Sequence, residues 1–140
     1  MTKTTGYSGT PLVKKLGFAA GASIAVIGAP PEYEDWVAPL PVGARLVRRL
    51  PTTPTAVHLF VTQRAELARR LTALRASLDP GGYVWVSWPK KAAKVETDVT
   101  EDVIRAVALP MGFVDVKVCA VSERWSGLKL VIRLSERPRP

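Results

Sequence analysis

The sequence is poor in the side chains that disulfides, metal centres and acid–base catalysis need. Its 140 residues include one cysteine, Cys119, and one histidine, His58. A single thiol excludes an internal disulfide, and the lack of a CxxC or Cys/His cluster excludes a structural zinc site. All apolar runs fall short of the ~18 residues of a membrane span, and the first ten residues lack the apolar stretch of a secretory signal. We expect one cytoplasmic domain over 1–140, with flexible ends at 1–9 and 135–140.

Negative charge is also scarce. Twenty Lys and Arg against twelve Asp and Glu leave a net charge of +8, a balance that favours association with polyanions. No helix-turn-helix and no aromatic RNP pattern accompanies the charge. The composition therefore predicts weak, salt-sensitive, non-specific binding of nucleic acid at most.

Apolar, β-branched runs predict buried strands at Ser23–Gly28, Ala56–Val61 and Tyr83–Trp88. A weaker strand is predicted at Ala44–Leu50, because three arginines interrupt it. Residues 30–41 contain four prolines, which indicates a loop or one irregular helical turn.

Helical patterns separate these strands. Leucines recur at i, i+4, i+7 and i+11 across Gln63–Leu78, which predicts a long amphipathic helix. A short helix is predicted at Thr10–Gly17, with its first residue as cap and its last as the left-handed stop. A further helix starts with Asp98 or with Thr100 as its cap and runs to about Met111.

The chain ends in two predicted strands, Val114–Val121 and Gly127–Leu134, and the short connection Ser122–Ser126 makes them a hairpin. Strands that alternate with helices require parallel, right-handed crossovers, and the hairpin adds one antiparallel strand. The predicted fold is a three-layer, Rossmann-like α/β domain with a mostly parallel sheet of about six strands and a C-terminal antiparallel hairpin.

Leu78–Gly82 (LDPGG) lies between a predicted helix and an apolar strand, and a further helix and the terminal hairpin follow. This order resembles the second half of a class I S-adenosylmethionine-dependent methyltransferase, in which a similar segment leads into the fifth strand. Gly17 and Gly21 ahead of the run SIAVIG resemble the approach to its first strand. The resemblance extends from about Gly17 to Leu134 and implies a truncated methyltransferase-like fold that lacks one strand–helix unit.

Two departures from the pattern of that family concern its cofactor. The family has a GxGxG loop that lets the backbone approach the ligand, whereas this strand ends in Gly28-Ala29-Pro30-Pro31, and proline lacks a donor amide. The family also places an acidic residue after its second strand to bind the ribose hydroxyls, where this chain has Arg48 and Arg49. We therefore expect no cofactor, and no binding of S-adenosylmethionine of the usual kind.

Whole segments resemble a second family. GYSGTPLVKKLG, VHLFVTQRAEL, VSWPKK, DVKVCAV and WSGLKLVIR are together similar to a family of small uncharacterised bacterial proteins, the domain of unknown function 3052. This resemblance covers nearly the whole chain and implies a bacterial source. It brings no known activity and no catalytic residues.

Ligands of open α/β sheets bind outside the carboxyl ends of the strands. At that edge we expect basic side chains beside two indoles, a combination that suits an anionic, nucleotide- or phosphate-bearing ligand. The alternative is that the tryptophans pack in the core and the lysines are only solvated. The predicted ligand-binding residues are Gly28, Arg64, Trp88, Lys90, Lys91, Arg124 and Trp125.

The remaining reactive side chains do not form a catalytic pattern. His58 lies in a buried strand and is interpreted as a hydrogen-bonded structural histidine, and Cys119 as a small apolar residue of a strand. Ser87 and Ser122 lack the GxSxG surroundings of a nucleophile elbow. We expect no catalytic residue and no metal.

Three functions remain open. The first is a non-catalytic or cryptic binding module for an anionic ligand, rather than an enzyme. The second is a divergent S-adenosylmethionine-dependent methyltransferase with an altered cofactor loop, and the third is a protein-interaction scaffold. The sequence indicates no membrane partner and does not define an oligomeric state.

Overall fold

A computed structural model describes residues 10–138, and one six-stranded sheet runs through them. The strands are β1 (Ser23–Ile27), β2 (Arg45–Val47), β3 (Ala56–Phe60), β4 (Tyr83–Pro89), β5 (Phe113–Ala120) and β6 (Trp125–Ile132). The helices are α1 (Leu12–Leu16), α2 (Tyr33–Trp36), α3 (Arg64–Ser77) and α4 (Glu101–Ala108). Short 3-10 turns lie at Lys91–Ala93, Leu109–Met111 and Leu134–Glu136. The flexible ends predicted at 1–9 and 135–140 lie partly outside the described residues and stay a prediction.

The strand order is β2-β1-β3-β4-β6-β5, with β1 to β4 parallel to one another and β6 antiparallel to both of its neighbours. The predicted three-layer α/β fold with a mostly parallel sheet and an antiparallel hairpin is confirmed. The second strand of the hairpin, and not the first, pairs with β4. Gly127 of β6 leaves room there for an indole, because a Cβ on it would lie 3.3 Å from Cε3 of Trp85.

Each face of the sheet carries its own core. On one face the three buried leucines of α3, with α4, cover alternate residues of β3 and β4 such as Leu59 and Val86, and each such side chain stabilises the fold by about 1.5–3 kcal/mol. On the other face α1 and α2 cover the intervening residues. There the indole N–H of Trp85 donates to the carbonyl of Leu16 at 2.9 Å, which ties α1 to β4.

Three local predictions are refined by the structure. The helix predicted at Thr10–Gly17 covers only Leu12–Leu16, and Gly17 stops it with φ +74°. Of the two caps proposed for α4, Thr100 is confirmed, since its hydroxyl accepts the amide of Val103 at 3.1 Å. The strand predicted at Ala44–Leu50 is shorter in the structure, where β2 has three residues. It is an edge strand, because it pairs with β1 alone.

A hydrogen-bonded chain of three side chains lies inside the α1/α2 face. His58, in the middle of β3, has no exposed surface. Its Nδ1 lies 2.8 Å from the hydroxyl of Tyr33 in α2, and its Nε2 lies 2.8 Å from the hydroxyl of Ser87 in β4. Both hydroxyls can donate or accept, so a neutral imidazole is satisfied in either tautomer. The structure thus agrees with a structural role for His58.

No helix among residues 10–138 combines the length and the apolar character that crossing a bilayer requires.

The burial of His58 predicts a pH dependence of stability. Desolvation lowers the pKa of His58 to about 3, whereas an unfolded histidine titrates near 6.5. Below pH 6.5 the unfolded chain binds a proton that the folded chain excludes, so the free energy of unfolding falls by up to about 1.4 kcal/mol per pH unit. Above pH 6.5 this contribution is constant.

Urea denaturation of the wild type and of His58→Asn between pH 7.5 and 4.5 measures this contribution. The variant lacks the titrating group, and we expect its stability to fall less steeply below pH 6.5 than that of the wild type. Parallel curves would show that the pH dependence comes from other groups.

Candidate functional site

The carboxyl ends of β1, β3 and β4 and the start of β6 share one edge of the sheet, and among the cavities that open there two lie side by side. The first, of about 310 Å³, we call the glycine cleft; it is lined by Gly28, Phe60, Val61, Thr62, Gln63, Glu66 and Trp125. The second, of about 400 Å³, we call the indole pocket; it is lined by Pro30, Glu32, Trp36, Pro89, Val95, Ser122, Glu123, Arg124 and Trp125. Trp125 forms part of both.

Gly28 directly follows β1 and has φ +75°, and the chain turns there toward the prolines that precede α2. A Cβ on Gly28 would lie 2.9 Å from the carbonyl oxygen of Phe60. The close approach of the two parallel strands therefore requires glycine here. The same absence of a side chain leaves the mouth of the glycine cleft open.

The wall of the glycine cleft toward α3 is held by the loop 94–99. The Thr97 hydroxyl donates to the carbonyl of Thr62 at 2.7 Å, and an Asp98 carboxylate oxygen accepts the backbone N–H of Arg64 at 2.6 Å. Asp98 thereby satisfies an amide at the start of α3. The two residues predicted as alternative caps of α4 therefore act at different helices, Asp98 at α3 and Thr100 at α4.

Glu66 is the one carboxylate that lines the glycine cleft. Hydrogen bonds from Arg69 and then from Arg70 lower the pKa of Glu66. Its carboxylate is therefore charged at neutral pH. Both of its oxygens accept hydrogen bonds from these arginines, so a ligand would bind Glu66 by replacing one of these contacts, the most exposed of which is that of Arg69.

A continuous chain of aromatic contacts fixes the two indoles of the indole pocket. Trp36 meets Tyr33 edge-on at 6.2 Å between ring centroids, and Tyr33 meets His58 at 5.2 Å. The His58 ring stacks on Phe60 at 4.4 Å, and Phe60 meets Trp125 edge-on at 5.0 Å. Such contacts add about 0.5–1.5 kcal/mol each beyond burial, so the pocket has pre-positioned aromatic walls.

The connection between β5 and β6 forms the outer wall of the indole pocket. The buried hydroxyl of Ser122 accepts the backbone N–H groups of Arg124 and Trp125, both at 3.2 Å. The carbonyl of Arg124 accepts the amide of Lys90, at 2.9 Å, which fastens this turn to the end of β4. The Arg124 guanidinium reaches the carbonyl of Ala93 at 3.5 Å.

The end of β2, where the methyltransferase pattern has an acidic residue, carries Arg48. Glu34 of α2 lies 3.6 Å from its guanidinium, and both side chains are largely exposed, so the pair adds little stability. A carboxylate is therefore present at this position, but α2 supplies it instead of the strand.

The predicted site residues separate into two groups. Gly28, Arg124 and Trp125 line the cavities. Trp88 is only 8% exposed and packs under α3 and α4, on the face of the sheet opposite to Trp125. Arg64, Lys90 and Lys91 lie near this edge but line neither cavity. The structure therefore does not assemble the basic residues beside two tryptophans, and their binding of a ligand stays a prediction.

Sequence reasoning missed Glu32, Trp36 and Glu123 as lining residues. For Glu32 and Trp36 the available signal was their position: a segment that follows the first strand of a parallel sheet starts at the carboxyl edge, where ligands bind. The described residues contain no group of three His, Cys, Asp or Glu side chains that could hold a metal ion.

Comparison with protein-family models and with the sequences of curated proteins finds no match. Among solved structures, an S-adenosylmethionine-dependent methyltransferase from Aquifex aeolicus is similar over 86% of this chain and 87% of its own, with a TM-score of 0.60 and 14% identity. A protein of Sulfolobus solfataricus described as a candidate type 11 methyltransferase is similar over 97% and 98%, with a TM-score of 0.62 and 10% identity. Fibrillarin of Aeropyrum pernix, in complex with natively bound S-adenosyl-L-methionine, is similar over 91% and 71%, with a TM-score of 0.58 and 14% identity.

These structures confirm the methyltransferase-like fold and correct two expectations. The first-choice function, a non-catalytic binding module for an anionic ligand, is wrong, because the similar structures support the alternative methyltransferase interpretation better. The expectation of no cofactor is wrong for the same reason, since one of these proteins holds S-adenosylmethionine. Both expectations depended on the altered loop after β1, which lacks the GxGxG motif.

The packing at Gly28 predicts the effect of substituting it. Gly28→Ala places a Cβ against the Phe60 carbonyl at a positive φ, whereas Gly21→Ala, at φ +74°, meets nothing within 4 Å. We expect Gly21→Ala to cost about 1–2 kcal/mol from backbone strain alone, and Gly28→Ala to cost a further 1–3 kcal/mol or so from the clash. Urea denaturation measures both. Equal losses would mean that β3 does not require glycine at the end of β1.

Proposed function

We propose that this chain is a divergent S-adenosylmethionine-dependent methyltransferase that binds its cofactor in the glycine cleft. The observation that carries the proposal is the position of the cleft, between the ends of β1 and β3 at the carboxyl edge. Open α/β sheets bind their ligands at this edge. The similarity to methyltransferase structures over almost the whole chain supports the same assignment.

The residues of the cleft suit this cofactor even though the usual glycine-rich loop is missing. A ribose diol needs a hydrogen-bond acceptor, and the charged carboxylate of Glu66 supplies one when the diol replaces the exposed contact with Arg69. A sulfonium cation suits the face of the indole of Trp125. Gly28 keeps the backbone at the end of β1 accessible.

When bound, the cofactor supplies an electrophilic methyl group. The role of the chain is to bind and orient: Trp125 shields one side of the cleft from water and Glu66 fixes the sugar. Because Trp125 also lines the indole pocket, a molecule in that pocket would be adjacent to the cofactor. This arrangement favours transfer mainly by proximity, which alone can supply a large share of a rate enhancement.

Other parts of the interpretation stay predictions. These are membership of the domain of unknown function 3052, a bacterial source, a cytoplasmic location, and weak non-specific binding of nucleic acid through the excess of basic residues.

Isothermal titration of the full chain with S-adenosylmethionine and S-adenosylhomocysteine tests the proposal. We expect saturable binding of both, and at least about tenfold weaker binding by Gln63→Trp, whose added ring fills the cleft. Ala73→Trp is the matched control, because Ala73 is an exposed residue of α3 that lines neither cavity. It should bind like the wild type.

Absence of heat with either ligand at millimolar concentration would contradict the proposal. Equal weakening by the two tryptophan variants would place the cofactor outside the glycine cleft.

A further inference from the structure

The indole pocket has a charge of the opposite sign to that of the protein. The chain carries +8, yet the residues that line this pocket include two acidic ones, Glu32 and Glu123, and one basic one, Arg124. Among the described residues neither carboxylate takes part in an ion pair. The Arg124 guanidinium, in contrast, is directed to the carbonyl of Ala93. The pocket therefore offers uncompensated negative charge in a basic protein.

The walls of the pocket are aromatic and apolar. Trp36 and Trp125 both line it, and the aromatic chain through Tyr33, His58 and Phe60 holds them. The rest of the lining includes prolines. Rigid indole faces bind flat rings by stacking and bind cations through the ring quadrupole, and a volume of about 400 Å³ suits a ligand of one or two rings.

From these observations we infer that the indole pocket binds a planar aromatic molecule carrying a basic nitrogen. The ring lies against the indoles, and the cationic nitrogen is attracted by Glu32 and Glu123. The ligand is a cation because the negative charges of Glu32 and Glu123 attract one and the faces of the two indoles bind one. An anion would be repelled by the two carboxylates.

Such an amine is also the methyl acceptor, and this role rests on the proposed function. The bound ammonium would first lose a proton to water, which leaves a neutral nitrogen with a lone pair. That lone pair would form the new C–N bond to the methyl carbon of a bound sulfonium, while the C–S bond breaks with its electron pair left on sulfur. The methylated nitrogen is then a cation again, and the thioether is the leaving group. Binding of the amine is independent of this step and can be tested without it.

The four tryptophans provide the readout. Indole N–H resonances of the ¹⁵N-labelled full chain are followed by NMR during titration at pH 7 with phenethylamine. Resonances of Trp36 and Trp125 should shift in a saturable way. Those of Trp85 and Trp88, buried in the two cores, are internal controls and should not move.

Two further probes separate ring from charge. 3-Phenylpropionate has the same ring with a negative charge, and 2-cyclohexylethylamine has the same charge without a flat ring. We expect both to bind at least about fivefold more weakly than phenethylamine, an effect of the size that exposed charges and indole faces give. Equal shifts with all three probes, a preference for the anion, or no shift at the solubility limit would each overturn the inference.

Variants locate the site. Glu32→Gln combined with Glu123→Gln should abolish the preference for the cationic probe over the anionic one. Glu96→Gln, which removes an exposed carboxylate of the loop 94–99 outside the indole pocket, should keep it. Trp36→Ala should weaken phenethylamine severalfold, and Trp36→Phe, which keeps an aromatic face, should restore most of the binding. A preference unchanged in the double variant would overturn the inference.

Titration of the same sample with S-adenosylhomocysteine separates the two proposals. Binding of S-adenosylhomocysteine without binding of phenethylamine removes the inference about the indole pocket and leaves the proposed function. Binding of phenethylamine alone removes the methyltransferase proposal and leaves an amine-binding pocket.

Discussion

A fully buried imidazole needs a hydrogen-bond partner for each nitrogen, and the structure is organised around meeting this need at His58. The two partners come from different elements, Tyr33 from α2 and Ser87 from β4. Leaving either nitrogen unpaired would cost about 1–3 kcal/mol. The four-residue helix α2, too short to be stable alone, is therefore held against the sheet by a bond that also fixes the orientation of a core ring.

The same constraint shapes the functional edge. The ring of His58 stacks on Phe60, which supports Trp125, while Tyr33 supports Trp36. Two indoles from opposite ends of the chain thus become the walls of one pocket through contacts that lie in the core. The site is therefore pre-positioned by packing, and its chemistry depends on what the walls present: flat aromatic faces, two carboxylates and an open cleft beside them.

The sequence was sufficient where the pattern is local. Periodic leucines located α3, and β-branched runs located β1, β3 and β4. The pairing of strands that are distant in the chain could not be predicted from the sequence. The position of Trp88 on the face of the sheet opposite to Trp125, for example, follows from the antiparallel register of β4 and β6. Trp36 was missed as a pocket wall because its place depends on a bond between Tyr33 and His58, 25 residues apart. The least informative feature was the altered loop after Gly28. The glycine is explained by the close packing of β1 against β3, and the absence of the other glycines does not by itself exclude a ligand.

The central claim is that the carboxyl edge of this sheet still binds the cofactor of the methyltransferase fold without the usual glycine-rich loop. A crystal structure of the full chain grown with saturating S-adenosylhomocysteine tests it most directly. We expect the ligand in the glycine cleft, with its ribose at Glu66 and its sulfur beside Trp125. An empty cleft at saturating concentration, or ligand bound elsewhere on the chain, would contradict the account.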